Sequence, residues 1–198
     1  MFVSPEPVRA DDTFSDEYSL SGKGTFTKNR ISLEILQGYF TDIDLGPETP
    51  DFEYTQTALR LGWMLNDPGP SRFLPEGNWE LIFELCRSIV TKGPGNDMEG
   101  FSALLRYNFV SPGRRLIPFI QGGCGIIFND VYKDRSQNAI GQDLEFTPQI
   151  GLGIQYMLTS NWSIIAEGKC HHISNAGLSN RNDGMNSLGA SIGFAYFF

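Results

Sequence analysis

The sequence lacks any long apolar run. No stretch of its 198 residues approaches the roughly 18 consecutive apolar residues that mark a membrane-spanning helix, and its mean hydropathy is −0.21. A helical membrane protein is therefore excluded. Basic residues are also few, 15 against 23 acidic ones, and the resulting net charge of −8 offers no electrostatic attraction for nucleic acid. A chain of this length predicts one domain.

Cysteines are sparse too. Cys86, Cys124 and Cys170 are odd in number and widely spaced, which fits neither a disulfide framework nor a zinc site. We interpret them as small apolar side chains. The opening stretch, MFVSPEPVRADD, has no basic segment followed by an apolar one, so we expect that a secretory signal was removed or never present. That expectation does not bear on location.

Helical spacing of apolar residues is also absent, whereas alternation with period two is present almost everywhere after residue 30. It is clearest in LEFTPQIGLGIQY (144–156), FSALLRYNF (101–109) and SLGASIGFAYFF (187–198). Weaker alternation covers residues 31–40, 54–65, 79–91, 115–127 and 161–174. Segments rich in Gly, Pro, Asn and Asp separate these runs. The sequence predicts an all-β domain of about eight antiparallel strands over residues 31–198, preceded by a polar tail or periplasmic extension over residues 1–30.

Two architectures fit such strands. A soluble sandwich or lipocalin-like barrel buries the apolar face, whereas a membrane barrel turns it outward and fills its narrow interior with polar side chains. Strands of about 9 to 13 residues suit a tilted span of the bilayer. Trp79 and Trp162 begin strands and Tyr156 ends one, as in interfacial girdles. A final strand ending in Phe198 resembles the carboxy-terminal signature of bacterial outer-membrane barrels, so we favour the membrane barrel.

In the predicted strand over residues 161–174, the charged residues indicate which face lies inside the barrel. Residues two apart in a strand share a face, so Glu167 and Lys169 lie on one face and His172 and Ser174 lie on the other. A charge in the middle of a lipid-facing span costs about 2–4 kcal/mol. Glu167 and Lys169 therefore belong inside with His171, which we expect to join them in a polar network, and His172 and Ser174 face lipid. With both termini on the periplasmic side, the connection after this strand lies at the extracellular rim.

The segment HHISNAG (171–177), followed by NDG and a short final strand, resembles the PagL-type lipid A 3-O-deacylases. These are eight-stranded outer-membrane esterases with a His-x-Ser-Asn motif near the carboxyl end. The resemblance implies that Ser174 is the nucleophile that attacks an acyl ester of lipid A and that His172 is its general base. It implies lipid A or lipopolysaccharide of the outer leaflet as the partner and no metal or redox cofactor. A homodimer is left open.

One position departs from the family pattern. The family's orienting glutamate corresponds here to Asn186, which can fix the tautomer of His172 but cannot offer a negative charge to the imidazolium. Asp183 is an alternative acid within the connecting loop. We consider Asn175, Asn182 and the backbone amide of Gly184 as donors to the acyl oxyanion.

Other interpretations stay open at this stage. Asn, Asp, Ser and Gly are ordinary turn residues, so SNRNDG could be a connection and nothing more. A non-catalytic outer-membrane barrel could have a structural, lipid-binding or adhesin role, and a soluble barrel could bind small apolar ligands. The glycine run QGGCG (121–125) lies in a strand with no helix after it, so we reject a phosphate-binding loop there.

Overall fold

The computed structural model describes residues 24–43, 51–70 and 73–198 as an antiparallel β-barrel. Neighbouring strands pair in chain order, except that the sixth and seventh segments both pair with the fifth, and the first strand pairs with the last, so the sheet closes on itself. The strands are β1 (Ile31–Asp42), β2 (Glu53–Met64), β3 (Asn78–Lys92), β4 (Asp97–Asn108), β5 (Leu116–Asn129), β6 (Leu144–Phe146), β7 (Gln149–Met157), β8 (Trp162–Ile173) and β9 (Met185–Phe197). One turn of 3₁₀-helix (Val131–Lys133) follows β5.

The short β6 and the longer β7 form one barrel strand. Both pair with β5 in the same register, and Thr147 between them exchanges two backbone hydrogen bonds with Gly125. The interruption falls at Pro148, which has no N–H to donate to the ladder. The barrel therefore has eight strands around its circumference, which confirms the predicted fold class.

The barrel is apolar outside and polar inside. On the outer face, Ile150 and Leu152 are each 67% exposed, and further exposed side chains include Leu33, Ile35, Leu59, Leu61, Leu85, Ile120, Ile154, Ile192 and Phe194. This is the pattern of a barrel that faces lipid. The soluble alternative required the apolar face to be buried, so the arrangement of side chains contradicts it.

Charged side chains fill the middle of the barrel. The buried set comprises Glu34, Arg60, Glu80, Glu84, Arg106, Glu167 and Lys169. Arg60 donates two hydrogen bonds of 2.7 Å to the carboxylate of Glu167 and one of 2.6 Å to Glu84. Each of these buried charges has an opposite partner, which offsets the cost of removing it from water. Glu167 and Lys169 lie inside, as the sequence predicted.

The two ends of the barrel differ. At the end that holds residues 24–30 and the final strand's last residue, Phe26 is fully buried with its ring 5.3 Å from that of Phe197. Exposed Trp79, Trp162 and Tyr156 lie toward this end. We call it the proximal end, and the opposite end, with residues 93–96, 130–143 and 174–184, the distal rim. Of the predicted tail over residues 1–30, residues 1–23 lie outside the described residues. Within the described part no helix is long and apolar enough to cross a membrane.

Candidate active site

His172 and Asn186 face each other across the last two strands of the barrel. They are direct partners in the antiparallel pairing of β8 with β9, and His172 Nδ1 lies 2.8 Å from Asn186 Oδ1. An amide oxygen can only accept a hydrogen bond, so Nδ1 carries a proton, and in the neutral ring the lone pair is on Nε2. The pair thus holds the tautomer that a general base requires.

Both side chains lie on the outer face of the barrel near the distal rim. Along β8, burial alternates strictly: Ser163, Ile165, Glu167, Lys169, His171 and Ile173 are buried. His172 and Asn186, on the opposite face, are half-buried. The imidazole therefore lies where the outer surface meets the loops, in agreement with the expected register.

Ser174 follows β8 and is held by a separate contact. It exchanges two backbone hydrogen bonds with Phe146 of β6, of 2.8 and 3.1 Å, which keep it in an extended conformation on the same face as His172. In the described part, its hydroxyl makes no hydrogen bond to the imidazole. Residues i and i+2 of a strand are about 6.5–7 Å apart along the chain, and catalytic hydrogen bonds are often loose before substrate binds.

His171 lies on the inner face and has a different environment. Its Nδ1 is 3.4 Å from the hydroxyl of Tyr54, and its ring centroid is 5.0 Å from that of Phe40. The sequence suggested a network with Glu167 and Lys169. The structure instead places His171 in an aromatic layer closer to the distal rim, because it is the last inward residue but one on β8.

Two of the three suggested oxyanion donors have other partners. Asn175 is fully buried; its Nδ2 donates to the carbonyl of Arg181, and its Oδ1 accepts from the amides of Gly177 and Ser179. The Gly184 amide donates to the carbonyl of Ala139 at 3.1 Å. These groups shape the loop after β8, and their donors are not directed at an acyl group.

Asn182 is the remaining suggested donor. Its Oδ1 accepts a 2.7 Å hydrogen bond from the Asn175 amide, which fixes the orientation of the side-chain amide. Among the described residues its Nδ2 has no partner. Of the three, Asn182 therefore has the side-chain donor available for a ligand, and its role stays a prediction.

Gly184 contacts the imidazole itself. A Cβ added at this position would lie 2.8 Å from Cε1 and 3.3 Å from Nε2 of His172, and the backbone has φ of +76°. Only glycine combines this conformation with such close approach. Asp183, the alternative acid, is exposed, and Asn186 is the residue hydrogen-bonded to the ring.

The loop over residues 130–143 completes the site, and sequence reasoning missed it. The carbonyls of Asn138 and Ala139 accept hydrogen bonds from the Asp183 and Gly184 amides, both of 3.1 Å. This segment reads as a polar turn, but it contains the buried residues Val131, Ala139 and Ile140. Apolar residues inside a polar stretch were the available signal that the loop packs against the barrel.

Asp130 fastens the start of this loop. Its carboxylate accepts hydrogen bonds of 2.7 and 3.2 Å from the Asn96 and Asp97 amides and one of 2.8 Å from Asn96 Nδ2. Slight burial alone would raise the pKa of Asp130, but these hydrogen bonds together hold it below its usual range. The carboxylate therefore stays charged and links two neighbouring distal loops.

Apolar depressions adjoin the site on the outer face. One of 280 Å³ is lined by His172 and Asn186 together with Ile43, Pro148, Ile150 and Cys170. A second, of 650 Å³, also includes Ile150 and Cys170 and extends past Gly122, Leu152 and Gly168. The two share a border, so an apolar groove leads from the imidazole along β7 and β8 toward the middle of the barrel. Within the described ranges no cluster of His, Cys, Asp or Glu could hold a metal.

A family model described as lipid A 3-O-deacylase (PagL) matches residues 58–195. The match covers more than half of the chain and includes β8, β9 and the loop between them. The chain belongs to the PagL family. No curated protein matches it significantly. The resemblance carried by HHISNAG is thereby confirmed at the level of the family, and the PagL family acts on lipid A in the outer membrane.

Solved structures support the same fold. The outer-membrane enzyme PagL is 20% identical, with a TM-score of 0.55 and coverage of 82% of this chain and 97% of that one. Neisserial surface protein A is 14% identical, with a TM-score of 0.62 and coverage of 85% and 97%. The amino-terminal barrel of Pseudomonas aeruginosa OprF is 17% identical, with a TM-score of 0.56 and coverage of 86% and 98%.

These neighbours and the family together place the chain in the bacterial outer membrane. At such identities the structural likeness concerns the fold alone. Neither the family match nor the neighbours support the homodimer that the sequence left open.

Proposed function

We propose that this PagL-family barrel is an outer-membrane esterase that removes an ester-linked acyl chain from lipid A. The observation that carries the proposal is the 2.8 Å hydrogen bond between His172 and Asn186, on the outer face beside an apolar groove. A base oriented by a second residue, with a serine two positions along the strand, is the arrangement of nucleophilic ester hydrolysis.

In the proposed reaction, the Ser174 hydroxyl attacks the acyl carbonyl while His172 Nε2 takes its proton. The tetrahedral intermediate collapses, the sugar hydroxyl leaves with the proton from His172, and the acyl group stays on Ser174. Water, activated by the same imidazole, then releases the fatty acid and restores the serine. Asn182 Nδ2 is our choice of donor to the oxyanion, since its orientation is already fixed by the Asn175 amide.

Asn186 orients the imidazole without adding a negative charge. In a serine protease, replacing the triad acid by asparagine lowers turnover about 10⁴-fold because the wrong tautomer is held. Here the amide oxygen faces Nδ1, which is the correct orientation for a base at Nε2. We therefore expect measurable activity that is limited by the missing charge and not by the tautomer.

The groove supports a substrate that comes from the membrane. Its walls are Ile150, Leu152 and Cys170, and its floor includes Gly122 and Gly168. An acyl chain lying in it would bring its ester carbonyl to the rim, where the polar loop begins. Substrate would arrive by lateral diffusion within the outer leaflet, with no need to leave the bilayer.

The test is mass spectrometry of lipid A from Gram-negative cells that express the chain behind a signal peptide. Loss of one hydroxyacyl chain with the natural sequence, abolished by Ser174→Ala, is the expected result. A matched Asn186→Glu protein shows whether restoring the family's acid raises the deacylated fraction. Unchanged lipid A in cells with folded natural and Asn186→Glu proteins would refute the hydrolase.

A second candidate is a barrel that keeps the scaffold and binds lipid without hydrolysis, in a structural or adhesin role. The observation in its favour is Asn186 itself, which supplies no charge to an imidazolium. Under this alternative lipid A stays intact, and the Ser174→Ala protein behaves like the natural one.

A further inference from the structure

A second, polar cavity of 670 Å³ opens at the distal rim. It is lined by Tyr132, Lys133, Arg135, Gly141 and Arg181, hereafter the basic pocket. Four of these residues come from the loop over residues 130–143, and Arg181 comes from the loop after β8. A cavity of this size accommodates a small organic ligand and is far larger than a single inorganic anion.

Arg181 forms the inner wall and is held rigidly. Its guanidinium donates hydrogen bonds to the carbonyls of Tyr132 at 2.7 Å and Asp134 at 2.9 Å, and to Gln137 at 3.2 Å. Carbonyl partners orient the guanidinium without neutralising its charge. The side chain thus ties two loops together and leaves a fixed positive charge beside the cavity.

Lys133 and Arg135 are exposed, and the carboxylate that Lys133 attracts, Asp130, accepts hydrogen bonds from the amides of Asn96 and Asp97. Within residues 24–43, 51–70 and 73–198 neither cation forms an ion pair. The nearest carboxylate along the chain, Asp134, accepts hydrogen bonds of 2.7 and 2.8 Å from the hydroxyl and amide of Ser136, which lower its pKa. These hydrogen bonds direct the Asp134 carboxylate to its own turn, and the charge of Arg181 also lowers its pKa. Although the chain has a net charge of −8, three cationic side chains line this one cavity: Lys133, Arg135 and Arg181.

Two short segments of chain connect the basic pocket to the candidate active site. Arg181 is three residues before Gly184, a distance of at most about 11 Å along extended chain, and Gly184 lies against the His172 ring. Gly141 is two residues after Ala139, whose carbonyl accepts the Gly184 amide. The apolar groove is lined by His172 itself, and the basic pocket is lined by residues two or three positions away from groups that contact Gly184 or His172.

We propose that the basic pocket binds a phosphorylated sugar of the substrate's headgroup. The assignment rests on the proposed function, since it takes the ligand to be the lipid whose acyl ester reaches Ser174. Arginine and lysine are the usual ligands of phosphate, the cavity has room for the sugar, and Tyr132 lines it. The headgroup is bound in the basic pocket while the acyl chain occupies the apolar groove. These two contacts together hold the ester near Ser174.

The experiment measures binding and needs no hydrolysis. Ser174→Ala barrels in detergent micelles are titrated with bisphosphorylated lipid A and with the same lipid after removal of its phosphates. Adding Lys133→Ala and Arg135→Ala should weaken binding of the bisphosphorylated lipid at least about 10-fold, since two charged hydrogen bonds to phosphate are lost. Binding of the dephosphorylated lipid should not change.

The control variant removes the same charge elsewhere on the barrel. Arg87→Ala with Lys92→Ala also deletes two exposed cations, and it should leave the affinity for bisphosphorylated lipid A within about two-fold, as expected for screened surface charges. Equal affinity of the Lys133/Arg135 variant and its parent would overturn the proposal. So would equal weakening by the control, which would mean that only net charge matters.

Competition identifies the part of the lipid that is recognised. Glucosamine 1-phosphate should displace bisphosphorylated lipid A at concentrations at least about 10-fold lower than inorganic phosphate, since it adds sugar contacts. Equal competition by inorganic phosphate would overturn the assignment to a sugar. If the natural protein leaves lipid A uncut but these binding results hold, hydrolysis fails as the function and the basic pocket stands.

Discussion

Replacing Asn186 by aspartate tests the chemistry of the site with almost no change of shape. The two side chains have the same number of heavy atoms, and the carboxylate oxygen would occupy the position of Oδ1, 2.8 Å from His172 Nδ1. The change adds one negative charge where a positive charge develops during catalysis. Because the imidazolium exists only after proton transfer, the added attraction stabilises the transition state more than the ground state.

The magnitude follows from the hydrogen bond. A neutral hydrogen bond contributes about 0.5–1.5 kcal/mol and one to a charged group about 1.5–3 kcal/mol. Two unit charges about 4 Å apart attract by roughly 4 kcal/mol at an effective dielectric constant near 20, and water reduces this because both residues are half-buried. A gain of about 1–3 kcal/mol corresponds to about a 5- to 150-fold increase in kcat. KM should change little.

The assay is the initial rate of hydroxyacyl release from lipid A by purified barrels in detergent micelles. Asn186→Ala provides the opposite perturbation, since it deletes the acceptor for Nδ1 and should lower kcat at least about 10-fold. Migration of unheated protein in a denaturing gel checks that each barrel is folded. If folded Asn186→Asp were no faster and folded Asn186→Ala no slower than the natural protein, Asn186 would not orient a catalytic base.

Four further expectations concern the same barrel. Gly184→Ala should lower kcat at least about 10-fold by displacing His172, whereas Gly177→Ala, also at positive φ but with open space, should not; equal rates would refute the contact. Arg60→Ala should destabilise the barrel by about 3–5 kcal/mol in urea unfolding, because it removes the cation paired with buried Glu167 and leaves buried Glu84 with Lys169 alone; a change under about 1 kcal/mol would contradict the interior network. Cys170→Trp should narrow the groove and slow cleavage of long-chain esters while sparing short ones; an equal effect on both would argue against an acyl groove. Hydrogen-exchange protection of residues 131–143 should be present at pH 6 and fall as the pH drops below about 4, because the depressed pKa of Asp130 makes its contribution one that acid removes; Asp130→Asn should lose the dependence.

The strand pattern was readable from the sequence because a single physical rule governs it. Side chains alternate across a strand, and a charge facing lipid has a large energetic cost. The positions of Glu167 and Lys169 therefore determine on which face each residue of β8 lies. That register carried His172 and Ser174 to the outer surface. The family resemblance implied position 186 as the orienting residue, and the structure pairs Asn186 with His172 across β8 and β9.

What the sequence could not reveal depends on contacts between distant segments. Three such features are the break at Pro148, the packing of residues 130–143 against the loop after β8, and the hydrogen bond from the Gly184 amide to the Ala139 carbonyl. For Asn175, Asn182 and Gly184 the residue types suggested interchangeable donors. Only the folded loop decides which donors remain available, since a buried amide bonds to the nearest acceptor.

By itself, then, the sequence determined the all-β class, the inside-out distribution of polarity and the shared outer face of His172 and Ser174, because local alternation and spacing encode all three. The tertiary structure alone decided how His172 is oriented, which surface grooves reach it and where three cations from two loops converge. Those properties arise from closure of the sheet and from loop packing, which bring together residues that no short-range pattern connects.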